Sequence, residues 1–179
     1  SIEADGRIQP RLAAALPRLS PDGLRATLRL RPGVRFHDGT PFNAAALAFS
    51  LRRFMALGTL GYQLSDRVKR VRAVGPLEVE LELKQPFSPL PRLLSAIFLT
   101  PVSPSAYRAH QDKPLAERFV GTGPYRLASS TGQQLRLLPM QRTKLNLLSL
   151  ANVSKARASG LYFFQQSFLG FFVETVLYL

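Results

Sequence analysis

The sequence predicts an α+β domain, and three observations carry that prediction. Residues 24–31 and 77–83 each alternate apolar with polar side chains at period two, the pattern of half-buried strands. Between them, apolar residues recur at helical spacing from Asn43 to about Ala56. The 12 glycines and 14 prolines imply many turns and short elements. At 179 residues the chain suffices for one domain with its own core, since a domain near that length buries roughly 70% of its unfolded surface.

In chain order, residues 1–21 mix turn residues with the apolar run 12–16. Leu24, Ala26, Leu28 and Leu30 then face one way, while Arg25, Thr27, Arg29 and Arg31 face the other. Pro32-Gly33 and His37-Asp38-Gly39 supply two turns. Asn43 is placed to cap a helix whose buried stripe is Ala44, Leu47, Ala48, Leu51, Phe54 and Met55. Arg52 and Arg53 lie toward its C-terminal end, where positive charge suits the dipole. A hairpin follows, residues 68–74 turning at Gly75-Pro76 into 77–83. A short helix is expected with Ser88 as cap, Pro89 at its first position and Leu93, Leu94, Ile97 and Phe98 inward. Another is expected from Ser103-Pro104 through Tyr107, then a second hairpin, 125–128 and 133–138, around Ser130-Thr131-Gly132.

Composition removes several chemistries. Without cysteine there is no disulfide, thiolate metal site or cysteine nucleophile. The two histidines, His37 and His110, leave little for a histidine metal site. His37 beside Asp38 suggests a catalytic dyad, but a turn in which Asp38 accepts from nearby backbone N–H groups is the preferred reading. Glu78, Glu80 and Glu82 are read as a solvated strand face paired with Lys69, Arg70 and Arg72, rather than as metal or acid–base residues. Gly121-Thr122-Gly123 leads into Pro124-Tyr125, which fits neither a Walker loop nor a dinucleotide fingerprint. No catalytic residue, metal ligand or cofactor is expected. The net charge of +13 raises nucleic-acid binding, but the arginines are scattered from Arg7 to Arg157 without a basic run, so a basic soluble surface is preferred.

Several segments together resemble the family-5 extracellular solute-binding proteins, which bind oligopeptides, dipeptides and sometimes nickel complexes. Leu28-Arg29-Leu30-Arg31-Pro32-Gly33-Val34-Arg35-Phe36-His37-Asp38-Gly39-Thr40-Pro41-Phe42 is similar to a signature stretch of that family, continued by Ala48-Phe49-Ser50-Leu51. Leu83-Lys84-Gln85-Pro86-Phe87, Val102-Ser103-Pro104 and Val120-Gly121-Thr122-Gly123-Pro124-Tyr125-Arg126-Leu127 follow in the family's order and approximate spacing, and Ser20-Pro21-Asp22-Gly23-Leu24 precedes them. The resemblance implies a mixed-sheet lobe of a type II periplasmic-binding-protein-like fold, incomplete here. It also implies an extracytoplasmic, periplasmic or cell-envelope location, an oligopeptide or dipeptide ligand, and an ABC permease as partner. It carries over no ligand-contact residue. The sequence departs from the family in lacking tryptophan near Leu16 and Ser130, and in placing Ala44-Ala45-Ala46 where acidic residues are usual.

The resemblance fades near Leu137. The expectation is therefore residues 1–137 as the N-terminal portion of the lobe and 138–179 as a divergent tail, for which an out-of-frame origin is one reading. Residues 161–179 are strongly apolar but interrupted by Gln165, Gln166 and Glu174. They motivate an alternative, a membrane-tethered accessory or structural protein.

Overall fold

The structure, a computed structural model, describes residues 1–57, 60–109, 120–131 and 134–140. The apolar residues 161–179, and with them the anchor alternative, lie outside the described residues, as does His110. The elements are strands β1 (Arg18–Leu19) and β2 (Arg25–Arg29), helices α1 (Ala44–Leu57) and α2 (Tyr62–Ser65), strands β3 (Val68–Gly75) and β4 (Glu78–Leu83), helix α3 (Leu90–Leu93), a 3-10 turn (Ile97–Leu99), helix α4 (Pro104–Ala109), and strands β5 (Tyr125–Thr131) and β6 (Gln134–Pro139). The first four strands form one sheet in the order β1-β2-β4-β3, and β5 pairs with β6. Every strand pair among the described residues is antiparallel, and both sheets are open.

Alternation decides which face of the larger sheet is buried. Ala26, Leu28, Leu30, Val79, Leu81 and Leu83 form its inner face, joined by Val68 and Val71 from β3. Helix α1 lies across that face and contributes Ala44, Leu47, Ala48, Leu51 and Phe54, the stripe its spacing predicts. Asn43 caps it, the side-chain oxygen accepting from Ala46 N–H at 2.9 Å. Leu24 departs from the pattern: it precedes β2 and is 37% exposed.

Strand β3 is out of simple alternation because it carries two register shifts, one between Val68 and Arg70 and one between Ala73 and Gly75. The first is a β-bulge that turns both Lys69 and Arg70 outward onto Glu82, at 2.8 and 4.0 Å, and keeps Val68 and Val71 inward. Arg72 pairs with Glu80 at 2.7 Å. The glutamate row of β4 is thus the ion-paired face that its sequence suggests.

Three local expectations change. Arg52 reaches sideways to the Val71 carbonyl at 3.1 Å, and the last turn of α1 contains no basic residue. The helix expected after Ser88 is only four residues long, with Pro89 rather than Ser88 in the cap position. Pro89 and Pro91 sit at the cap and in the first turn, where a missing N–H costs no intrahelical bond. Past Leu94 the backbone bonds tighten to Ser95 N–H→Arg92 O and Ala96 N–H→Leu93 O, at 3.1 and 3.0 Å, and Ser95 Oγ donates to the Pro91 carbonyl at 2.9 Å. Leu90 is the helix's buried side chain and Leu99 that of the following 3-10 turn, while Leu93, Leu94 and Phe98 are only partly covered and the Ile97 side chain lies outside the described ones.

The hairpin joining β1 to β2 depends on one glycine. Gly23 has φ +69°, and a Cβ there would lie 3.0 Å from Pro86 Cβ. Both the left-handed conformation and the close approach favour glycine. The turn is completed by Asp22, which accepts from Ser20 Oγ and from Leu24 N–H at 3.0 Å.

Candidate functional site

Four sequence segments far apart in the chain meet at one junction. The turn after β2 places His37, Asp38 and Thr40 beside Ser103, which caps α4, and beside Gly121 and Gly123. His37 N–H donates to Gly121 O at 2.9 Å, and Ser103 N–H to Val120 O at 2.9 Å. Asp38 accepts from Thr40 N–H at 3.0 Å and from Thr40 Oγ1 at 2.6 Å, and its second oxygen accepts from Ser103 Oγ. On α1, Ser50 Oγ accepts from Val102 N–H at 3.1 Å. The same oxygen lies 3.0 and 3.1 Å from the Ala46 and Val102 carbonyls, which compete for its one proton.

This arrangement cannot do dyad chemistry. The His37 ring is turned to Gly123, its Nε2 lying 2.8 Å from that carbonyl, so the contact places the ring proton on Nε2. Asp38 is occupied by Thr40 and Ser103 instead of orienting the imidazole. Ser103 is fully buried, and its proton is committed to a carboxylate that has no histidine behind it. The turn reading of His37-Asp38 is correct, with Ser103 as a partner that turn chemistry alone does not reveal.

Electrostatics fit a clip. Burial holds the His37 pKa below its usual value, against the opposing pull of the Gly123 carbonyl and Asp38. For Asp38, partial burial pushes the carboxyl up, but the hydrogen bonds from Ser103 and Thr40 outweigh it and hold the group below the ordinary carboxylate range. Because the folded state favours neutral imidazole, the contribution of His37 is fully present above its ordinary value of 6.5 and is lost as pH falls below it. Urea denaturation at pH 8 and at pH 5.5 is expected to show stability falling with acid. His37→Gln is expected to flatten that slope, and an equal slope in the variant would contradict the assignment.

The junction is scaffold, so ligand contact is sought elsewhere. A hollow of about 110 Å³ opens between the N-terminal segment and the core, lined chiefly by Leu12, Leu16, Leu30, Phe42, Leu94 and Leu99. Small-molecule sites usually enclose about 300–1,000 Å³. The hollow therefore accepts about one apolar side chain, and a peptide needs a further wall. A second, more open depression of about 270 Å³ lies between Tyr62, Asp66, Arg67, Phe87 and Leu93, with the Arg67 guanidinium 5.3 Å from the Phe87 ring centroid. Along the outside of α1, Arg53 stands over Tyr107 and Arg108 over Phe49, at 5.0 and 5.2 Å, an arginine–aromatic stack the sequence did not signal. No group of three or more His, Cys, Asp or Glu suited to a metal occurs among the described residues.

An open antiparallel sheet backed by one helix, with its signature segments knotted together at a single junction, defines a lobe of the periplasmic-binding-protein-like class. Residues 7–139 match the family model described as bacterial extracellular solute-binding proteins, family 5 Middle. The chain belongs to that family. It is 39% identical over 111 residues to the glutathione-binding protein GsiB of Escherichia coli O1:K1, an alignment spanning 61% of this chain and 22% of that protein. The structure is similar to NikA from Brucella suis in complex with Fe(III)-EDTA, with TM-score 0.66 and 29% identity over 77% of this chain and 28% of the other. It is also similar to the periplasmic binding protein DppA from Helicobacter pylori in complex with the peptide STSA, with TM-score 0.62 and 25% identity over 74% and 30% of the two chains. The chain spans about a fifth of the length of the curated relatives it matches.

Proposed function

We propose that this chain forms one lobe of an extracytoplasmic binding protein for ABC-type peptide import. It takes a short peptide, a dipeptide or small oligopeptide of the size of glutathione, and presents it to a membrane permease. Family membership over residues 7–139 carries this reading. The names of the relatives support the ligand class, two of the three being a glutathione-binding protein and a structure holding the peptide STSA. The apolar hollow supports it too, since it accepts one side chain of an extended peptide and leaves the backbone free to pair elsewhere. Membership in a family of solute-binding proteins, and the spent proton of Ser103, argue against an enzyme.

Titration calorimetry with glutathione, Ser-Thr-Ser-Ala and Fe(III)-EDTA tests the proposal. Saturable binding of either peptide in preference to the chelate is expected. Binding of the chelate alone would replace peptide with a metal complex as the ligand class. Among the described residues no helix is long and apolar enough to cross a membrane.

A further inference from the structure

The second depression, of about 270 Å³, has two unlike walls. The polar wall comes from α2 and the turn that ends it. Asp66 N–H donates to the Tyr62 carbonyl at 2.9 Å, which sets Tyr62 and Asp66 one helical turn apart. Gln63 and Arg67 lie beside them, and all four line the depression, while Leu64 turns into the core. The apolar wall is Phe87, from the loop after β4, and Leu93, from α3, both partly buried against the core.

The polar wall holds bonding capacity that the fold leaves unused. The Arg67 guanidinium is 5.3 Å from the Phe87 ring centroid, a contact that takes up a face of the group and leaves the N–H fork at its edge. Among the described residues, no carboxylate lies within 4.0 Å of that fork. Nor do the side chains of Tyr62, Gln63 and Asp66 have a hydrogen-bond or ionic partner there. Other cations of the lobe are engaged, Lys69 and Arg72 by glutamates, Arg35 and Arg52 by carbonyls. Asp66 and Arg67 thus offer opposite charges to one depression without neutralising each other. A ligand of single charge would satisfy one of them and meet its like charge in the other. A ligand with an ammonium group next to a carboxylate satisfies both. The volume falls just below the roughly 300–1,000 Å³ of drug-sized sites, which suits a single amino acid. Phe87, Leu93 and the exposed Tyr62 ring suit an apolar side chain. We propose that this depression is a second ligand site, for a free amino acid with an aromatic or large apolar side chain. Arg67 holds its carboxylate, Asp66 its ammonium group, and Phe87 and Leu93 its side chain. The site shares no residue with the apolar hollow, so it stands apart from the peptide reading.

The test is an NMR titration of the full 179-residue protein with L-phenylalanine, N-acetyl-L-phenylalanine and L-phenylalanine amide. The first carries both charges, the second only the carboxylate and the third only the ammonium group. Saturable shifts at Asp66, Arg67 and Phe87 are expected, with phenylalanine bound about ten-fold more tightly than either analogue. Asp66→Asn should weaken phenylalanine about ten-fold and leave the N-acetyl form as it is in the parent. Arg67→Gln should do the converse, sparing the amide. Asp66 is exposed and its side chain unbonded, so Asp66→Asn keeps the fold even if Arg67→Gln loosens the packing on Phe87. Equal binding of the three ligands, or parent-like phenylalanine binding by Asp66→Asn, would overturn the proposal. So would the absence of saturable shifts at these residues. Ser-Thr-Ser-Ala should leave the phenylalanine shifts in place, and displacement by it would overturn a site separate from the hollow.

Discussion

Replacing Phe36 with alanine is expected to cost about 3–5 kcal/mol of folding free energy, a large part of the roughly 5–15 kcal/mol that domains possess. Phe36 is 2% exposed and sits edge-on to Phe42, ring centroids 5.7 Å apart and planes at 79°. Its neighbour His37 carries the backbone bond to Gly121, and its own N–H donates to Thr40 O at 2.9 Å. The cavity would thus open beside the junction, where the hydrogen-bonded turn limits collapse around it. Phe36→Leu should cost far less, under about 1.5 kcal/mol, because much of the volume is kept. Urea denaturation followed by circular dichroism measures both, and a loss below 1 kcal/mol for Phe36→Ala would show that the side chain is not core.

Ser50→Ala should cost about 1–3 kcal/mol although it removes a single atom. The hydroxyl accepts from Val102 N–H, and Ser50 and Val102 are 3% and 1% exposed. Deleting it leaves a buried donor with no water to replace the partner. Amide exchange at Val102 should accelerate in step with the lost stability. Unchanged exchange would mean that Ser50 does not hold the segment before α4 to α1. By contrast, the exposed Arg72–Glu80 pair should contribute less than about 1 kcal/mol, since solvent screens it.

These two positions show which part of the structure was legible in sequence. The β2 and β4 faces, the Asn43 cap and the turns at Gly33 and Gly39 follow from local rules, and both glycines have positive φ. The first bulge in β3 was half legible: Lys69 and Arg70 both read as partners of the glutamate row, yet adjacent residues reach one face only if the strand breaks alternation, which it does between Val68 and Arg70. The helix expected after Ser88 is shorter than the apolar spacing of Leu93 to Phe98 suggests, because past Leu94 the backbone turns to tighter bonds, Ser95 N–H to Arg92 O and Ala96 N–H to Leu93 O, ahead of the 3-10 turn at Ile97–Leu99. The junction was legible only as signature segments in order. Asp38 and Ser103 are 65 residues apart, and no local pattern connects a turn carboxylate to a helix cap. The hollow was not legible at all: it is assembled from leucines of four separate segments, each of which reads simply as core.

Under the proposed function, peptide meets the hollow and not the junction, and a peptide titration followed by NMR tests this most directly. With glutathione or Ser-Thr-Ser-Ala, signals from Leu12, Leu16, Leu30 and Leu94 should move saturably, while those of His37, Ser103 and Gly121 stay in place. Movement concentrated at His37, Ser103 and Gly121, with the leucines unchanged, would contradict it and make the junction the binding site.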